Sequence, residues 1–469
     1  MIPMTASEIA AAVGGELHGD GHLLISGSVE TDSREVKSGS AFVAMPGEVT
    51  DGHRFIRAAV EAGAALIIAE RPLRDDEPSI PHIVVESGLD ALGALAREVV
   101  RRGRDSGGLT VVAVTGSNGK TTTKNMLQVI LEQHGPTISP VKSFNNEVGG
   151  PMTMLRLAQD TRFLVLEMGA SRVGDIASLI GMAKPDVGVV LKVGLAHAGE
   201  FGGVEMTERA KSEMVTELAP SDTAILNFDD ERVRRMSGLT DASVLWFGTE
   251  NESGLRAADI ETTLDGTTFT LFSDGADPLP VTLGILGEHH VMNALAALAV
   301  TRALGLDLRQ AVDALARMPR AERWRMELLR PASGAIVIND AYNSSPDSAR
   351  AALQTLAHLG RSSGRRSWAV IGEMAELGDV AVEEHDRLGR LVVRYGIDKL
   401  IAVGPGAKAA HIAAEAESSF GQDTVYVESA TEAQELLTVL GENDLVLVKS
   451  SLSAGLKELG DTVGEQDKE

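Results

Sequence analysis

The chain of 469 residues carries 43 Lys and Arg against 67 Asp and Glu, for a formal net charge of −24, with 43 % apolar residues and no cysteine. The absence of cysteine excludes disulfides, thiolate metal sites and a thiol nucleophile, and the acidic balance disfavours nucleic acid and anionic membrane as partners. At roughly 150 residues per domain the length suggests three domains, and no apolar run reaches the ~18 residues of a membrane span.

The opening stretch MIPMTASEIAAAVGGEL lacks a basic region and holds Glu8 inside its apolar run. It predicts a short amphipathic helix and not a secretion signal, so the cytoplasm is the expected location. LLISGSV, SAFVAM, ALIIAE and HIVVES read as strands, and FIRAAVEAGA as a helix. The polar, glycine-rich RRGRDSGG at 101–108 marks a boundary. Beyond it VVAVTG, FLVLEM, VGVVLKV, TAILNFD and SVLWFG are β-branched runs of parallel-strand type, separated by helical segments. ADIETTLDGTTFTLF alternates around an Asp-Gly turn and predicts an antiparallel hairpin, followed by the helix HHVMNALAALAVTRALG. After Met318–Pro319, the runs GAIVIND, SWAVIGEM, KLIAVG, TVYVE and DLVLVKSS alternate with helices. The expected fold is α/β in three domains: a small N-terminal α/β domain (1–107), a central P-loop parallel-sheet domain (108–318) and a C-terminal Rossmann-like domain (319–469).

VVAVTGSNGKTTTK, at 111–124, carries the strongest chemical signal. An apolar strand runs into a glycine-rich turn and then into a helix start. Backbone N–H groups of Gly116, Ser117, Asn118 and Gly119 can converge on phosphate oxygens, helped by the helix dipole. Lys120 would reach the outer phosphates, Thr121 would hold a magnesium ion, and Thr122 follows in the same turn. The motif is a shortened P-loop, since Val114 stands where the longer pattern has its first glycine. The plain alternative is an ordinary turn between strand and helix.

Other candidates follow the strands. Glu167 closes FLVLE and reads as a magnesium ligand or a solvated strand end; Ser171 lies in the turn after it. His197 lies in the glycine-rich loop after VGVVLKV and is either structural or a ligand. ERAKSEMV sets Lys211 and Glu213 at a predicted helix start, with a solvated charge as the plain reading of Lys211. Asn145 and Asn146 are polar ligands or formers of an Asx turn. His289 and His290 are adjacent and do not read as a metal pair.

In order, TGSNGKTT, NNEVGGP, LEMGAS, AHAGEFG, AKSE, GEHHVMNALAA, ERWRME, NDAYNSSPDS and GEMAELG resemble the Mur ligase family across essentially the whole chain. The N-terminal TDSREVKSGSAFVAMPGEVTDGHRFI extends the likeness. The resemblance implies an ATP-dependent amide ligase of peptidoglycan precursor synthesis working through an acyl phosphate, with ATP and Mg2+ as cofactors and a monomeric state. With GEMAELG, the N-terminal segment is most similar to the members whose substrates are UDP-N-acetylmuramoyl-tripeptide and D-alanyl-D-alanine. A member that adds the third amino acid, or a P-loop regulatory NTPase, is the alternative.

The resemblance also implies roles. Ser33 and Arg34 fall in the segment recognising the UDP end; Asn145, Asn146, Ser171, Tyr342 and Asn343 fall near substrate. Lys120 and Thr121 meet phosphate and the first magnesium, and Glu167 and His197 help hold metal. Lys211 falls where the family has a carbamylated lysine. Asn293 meets adenine, and Arg323 and Asp340 meet the nucleotide from the third domain. The chain departs from the family at His290, Glu322, Ser344-Ser345 and Leu452.

Overall fold

The computed structural model describes residues 1–47, 50–141, 144–194, 203–318, 323–418 and 423–465. Three sheets of five, nine and six strands follow one another along the chain, beside a two-stranded ribbon.

In the N-terminal domain, Glu16–His18 pairs antiparallel with His82–Val84, and Leu66–Ala69, Ala41–Ala44 and Val29–Glu30 continue the sheet in parallel. The predicted strand LLISGSV is two short ones in different sheets, Leu24–Ile25 and Val29–Glu30. Between them the chain presses Gly27 so close to Gly39 that a Cβ would lie 2.4 Å from its carbonyl oxygen. The first helix, Ala6–Val13, starts from a reciprocal cap in which Thr5 and Glu8 satisfy each other's backbone N–H.

Within RRGRDSGG the helix Gly88–Asp105 takes up the first five residues, and the first central strand begins at Thr110. Leu92, Leu95, Ala96 and Val99 on that helix join one core with Val111, Ala113, Leu164 and Leu166 of the central sheet. The first two domains therefore share apolar burial, reinforced by Arg104, whose guanidinium lies 2.9 Å from Asp186.

In the central sheet, Thr110–Thr115 lies between Phe163–Glu167 and Val187–Val190, all parallel. Thr223–Asn227 and Ser243–Gly248 extend it. Alternate residues face opposite ways along a strand: Val112, Val114 and Val165 pack under the helices Lys120–Leu131 and His289–Ala303, opposite the face shared with the N-terminal domain. Leu255–Thr263 and Gly266–Ser273 form the expected hairpin, with Leu279–Leu283 as a third antiparallel strand.

The third sheet is parallel except for its edge strand Glu327–Leu329. Ile336–Asp340 and Asp444–Lys449 sit beside each other and end together, at Asp340 and Lys449. Both this sheet and the central one turn the carboxyl ends of these strands toward a shared cleft.

Candidate active site

The cradle forms where the strand Thr110–Thr115 ends and the helix Lys120–Leu131 begins. Gly119 caps that helix at φ 88°, a left-handed conformation, and a Cβ there would lie 2.2 Å from Asn293 Oδ1. The Lys120 ammonium folds back and donates to the Gly116 carbonyl at 2.8 Å. Burial is the main force lowering its pKa, the nearby Arg325 adds to it, and Glu167 opposes it.

Glu167 is 2 % exposed, so it is not a solvated strand end. One of its oxygens accepts from the Thr121 hydroxyl at 3.1 Å and the other from Asn145 Nδ2 at 3.0 Å. A hydroxyl and a carboxylate so joined are hard oxygen donors of the kind magnesium takes. The two asparagines divide the readings between them: Asn145 faces Glu167, whereas Asn146 accepts from the Gly149 N–H at 2.9 Å as a turn former.

Lys211 does not stand at a helix start. It lies in the second half of the helix Val204–Thr216 and is buried. Burial, and then the charge of Lys120, lower its pKa to about 7. Glu213, two residues on, turns to the start of the neighbouring helix Asp175–Ala183 and accepts from the Gly174 and Ala177 N–H groups at 2.6 and 2.9 Å. Lys120, Lys211, Asn145, Asn146 and Ser171 line one cleft of about 720 Å³, whose far wall is Leu89, Gly93 and Arg97 of the helix from the N-terminal domain.

The third domain closes a second cleft of about 250 Å³ over the cradle. Asp340 pairs with buried Lys449 at 2.7 Å and accepts from the Met326 N–H at 3.1 Å. Ser345 Oγ donates to Asn118 Oδ1 at 3.1 Å, and Lys192 pairs with Asp347 at 3.1 Å. Tyr342 and Asn343 line the same cleft. Arg323 does not enter it: its guanidinium sits 2.7 Å from Asp461, with the side chain 63 % exposed. Arg325 takes that place, stacked 4.2 Å from the Tyr342 ring centroid and donating to Thr121 Oγ1 at 3.4 Å. Trp324 and Met326 flank it with positive φ, a backbone turn that no residue pattern announces. Lys449 was equally hidden, at the end of a strand that reads as pure core.

Asn293 lines the cradle cleft and the neighbouring cleft of about 660 Å³, where Leu191, Phe247 and Met292 supply an apolar wall. Ser33 and Arg34 line none of these clefts, and Arg34 is paired with Asp32. His197 lies outside the described residues.

The models of the Mur ligase middle domain, of the Mur ligase glutamate ligase domain and of the Mur ligase family catalytic domain match residues 114–301, 324–452 and 27–99. The UDP-N-acetylmuramoyl-tripeptide–D-alanyl-D-alanine ligase of Mycobacterium bovis is 39 % identical over 100 % of this chain and 99 % of its own length. The protein of that name from Bacillus subtilis is 34 % identical over 98 % of each chain. Among solved structures, MurF of Acinetobacter baumannii superposes with a TM-score of 0.88 at 32 % identity, covering 98 % of both chains. MurF of Thermotoga maritima, in complex with ADP, superposes with a TM-score of 0.81 at 30 % identity, covering 94 % of this chain and 97 % of that one. Agreement at this identity over full length joins the cradle, the lysine cleft and the three sheets into one assignment, and the chain belongs to the Mur ligase family.

Proposed function

We propose that the protein is the ATP-dependent ligase that joins D-alanyl-D-alanine to UDP-N-acetylmuramoyl-tripeptide in peptidoglycan precursor synthesis. One observation carries the reading: Lys120 belongs both to the nucleotide cradle and to the cleft walled by the N-terminal domain, so a nucleotide's outer phosphate and a peptide's carboxyl end meet at its ammonium. The full-length relatives of that name support the choice of substrates.

A free carboxylate is a poor acyl donor, because the group it must lose is oxide-like. In the reaction proposed, a tripeptide carboxylate oxygen attacks the γ-phosphorus of ATP, the bond to the ADP oxygen breaks, and an acyl phosphate forms. The dipeptide amine then attacks the carbonyl carbon, a C–N bond forms, inorganic phosphate leaves and the amine loses a proton. No protein nucleophile is needed; the chain positions the reactants and balances charge. Lys120 and Arg325 face the charge spread over the transferring group. The residues present fit a magnesium ion, with Thr121 and Glu167 as its first holders, and the ion would supply further charge neutralisation there. His197 enters that set by resemblance alone.

Lys211 is assigned as a carbamate. A neutral amine adds to carbon dioxide, forms an N–C bond and releases a proton, turning a buried base into an anion with two oxygens. Its pKa of about 7 supplies the neutral amine. Asn293, beside the apolar wall, is assigned to the base. Ser33 and Arg34 are assigned to the UDP end.

ADP release tests the reading, measured with UDP-N-acetylmuramoyl-tripeptide in the presence and absence of D-alanyl-D-alanine. Steady release should need both, matched by ligated product. Turnover with neither acceptor would support a regulatory NTPase, and turnover with a dipeptide precursor plus a single amino acid would support a sister ligase.

A further inference from the structure

We propose that His290 is a nucleotide-binding residue, its Nε2–H donating a hydrogen bond to a phosphate oxygen of the nucleotide in the cradle cleft. The inference rests on the reading above in needing a nucleotide there.

His290 opens the helix His289–Ala303 and is 5 % exposed. One turn on, Asn293 brings its Nδ2 to 3.2 Å from His290 Nδ1. An amide NH2 group only donates, so Nδ1 accepts and the neutral ring carries its proton on Nε2. That Nε2 is buried and has no hydrogen-bond partner. Buried donors are almost always paired, so an unpaired one in a cleft wall marks where a ligand's acceptor goes.

The ring lines the cradle cleft with Lys120, Thr121 and Arg325. Asn118 Nδ2 in the same wall is likewise buried without a partner, its amide turned by the hydrogen bond from Ser345 to Oδ1. The two carboxylates nearby have their oxygens engaged, Glu167 by Thr121 and Asn145, Asp340 by Met326 and Lys449. Two fixed neutral donors among cations call for a ligand rich in anionic oxygen. The apolar cleft, suited to a base, does not include His290 in its wall, so its partner is a phosphate oxygen.

The test is direct binding of ATP, ADP and adenosine to the full chain, by calorimetry, for the unmutated protein, His290→Phe, His290→Ala and His290→Gln. Loss of a buried hydrogen bond to a charged acceptor should weaken ATP and ADP by at least about tenfold in the Phe and Ala variants. Adenosine should bind as before, and Gln, which keeps a donor, should recover part of the loss. Unchanged ATP affinity in folded His290→Phe and His290→Ala overturns the inference. So does an equal loss for adenosine, which would put His290 on the base. An unmutated protein that fails to bind ATP would remove the ligase reading and this assignment together; normal binding there with indifferent variants removes His290 alone.

Discussion

In the reaction proposed, two lysines carry the chemistry, and burial lowers the pKa of both. Burial of the Lys120 ammonium works against the fold, so Lys120→Ala should abolish ligation while leaving the melting temperature equal or higher. Near-normal turnover in that variant would contradict the phosphate role. For Lys211 the sign runs the other way from an ordinary lysine. Its pKa falls from 10.5 to about 7, so the amine is neutral above that pH and takes a proton below it. Carbamate formation, and activity at limiting bicarbonate, should therefore fall as pH drops through about 7 and be rescued by added bicarbonate. Labelled bicarbonate followed by 13C NMR reads this directly, and full activity of Lys211→Ala without additives would contradict it. Arg325→Ala should cost about 10³-fold in kcat, the scale of a cation at a transferring phosphoryl group. Arg323→Ala, an exposed pair with Asp461, should stay within about threefold. The reverse ranking, in steady-state kinetics, would restore Arg323. Sequence alone could not choose between them, because the two arginines flank one tryptophan and the choice is made by a backbone turn.

Elements with strong local signals were legible, and those decided by contacts were not. The cradle strand and helix announce themselves through an apolar run, glycines and a Lys-Thr-Thr start. Gly119 shows why the glycine is needed: its φ is left-handed, and Asn293 fills the space a Cβ would take. Gly119→Ala should thus lose ATP affinity by about tenfold or more through strain alone, read by calorimetry. Normal affinity would mean the cradle is not where phosphate binds. The helix Gly88–Asp105 was hidden by its own end, since RRGRD is polar enough to read as a linker while its earlier turns bury leucines against the next domain. Glu213 was read with Lys211 as a helix start, yet its work is to cap the helix that begins at Asp175. Glu213→Ala should destabilise the protein by about 1.5 kcal/mol, since two partly buried N–H groups lose a charged acceptor; a change under about 0.5 kcal/mol in urea unfolding would contradict that account.

At the scale of the whole molecule, polar contacts among the described residues that join the third domain to the cradle side include Lys192 with Asp347, Ser345 with Asn118 and Arg325 with Thr121. Partly exposed contacts of this kind hold an interface weakly, and the expected consequence is a third domain that tightens onto the cradle when a nucleotide bridges it. Adding Mg–ADP should narrow the interatomic distance distribution in solution scattering, and an unchanged profile would contradict closure on the nucleotide. The order of the sheets could be read from alternating apolar runs, but the meeting of their strand ends over one cradle depends on contacts more than 150 residues apart, such as Lys192 with Asp347. The central claim is that a phosphoryl group passes to a peptide carboxylate before the amide forms. Tripeptide labelled with 18O in its terminal carboxyl group tests it most directly: one labelled oxygen should appear in the inorganic phosphate for each ligation. Phosphate free of label, with product formed at the normal rate, would contradict it.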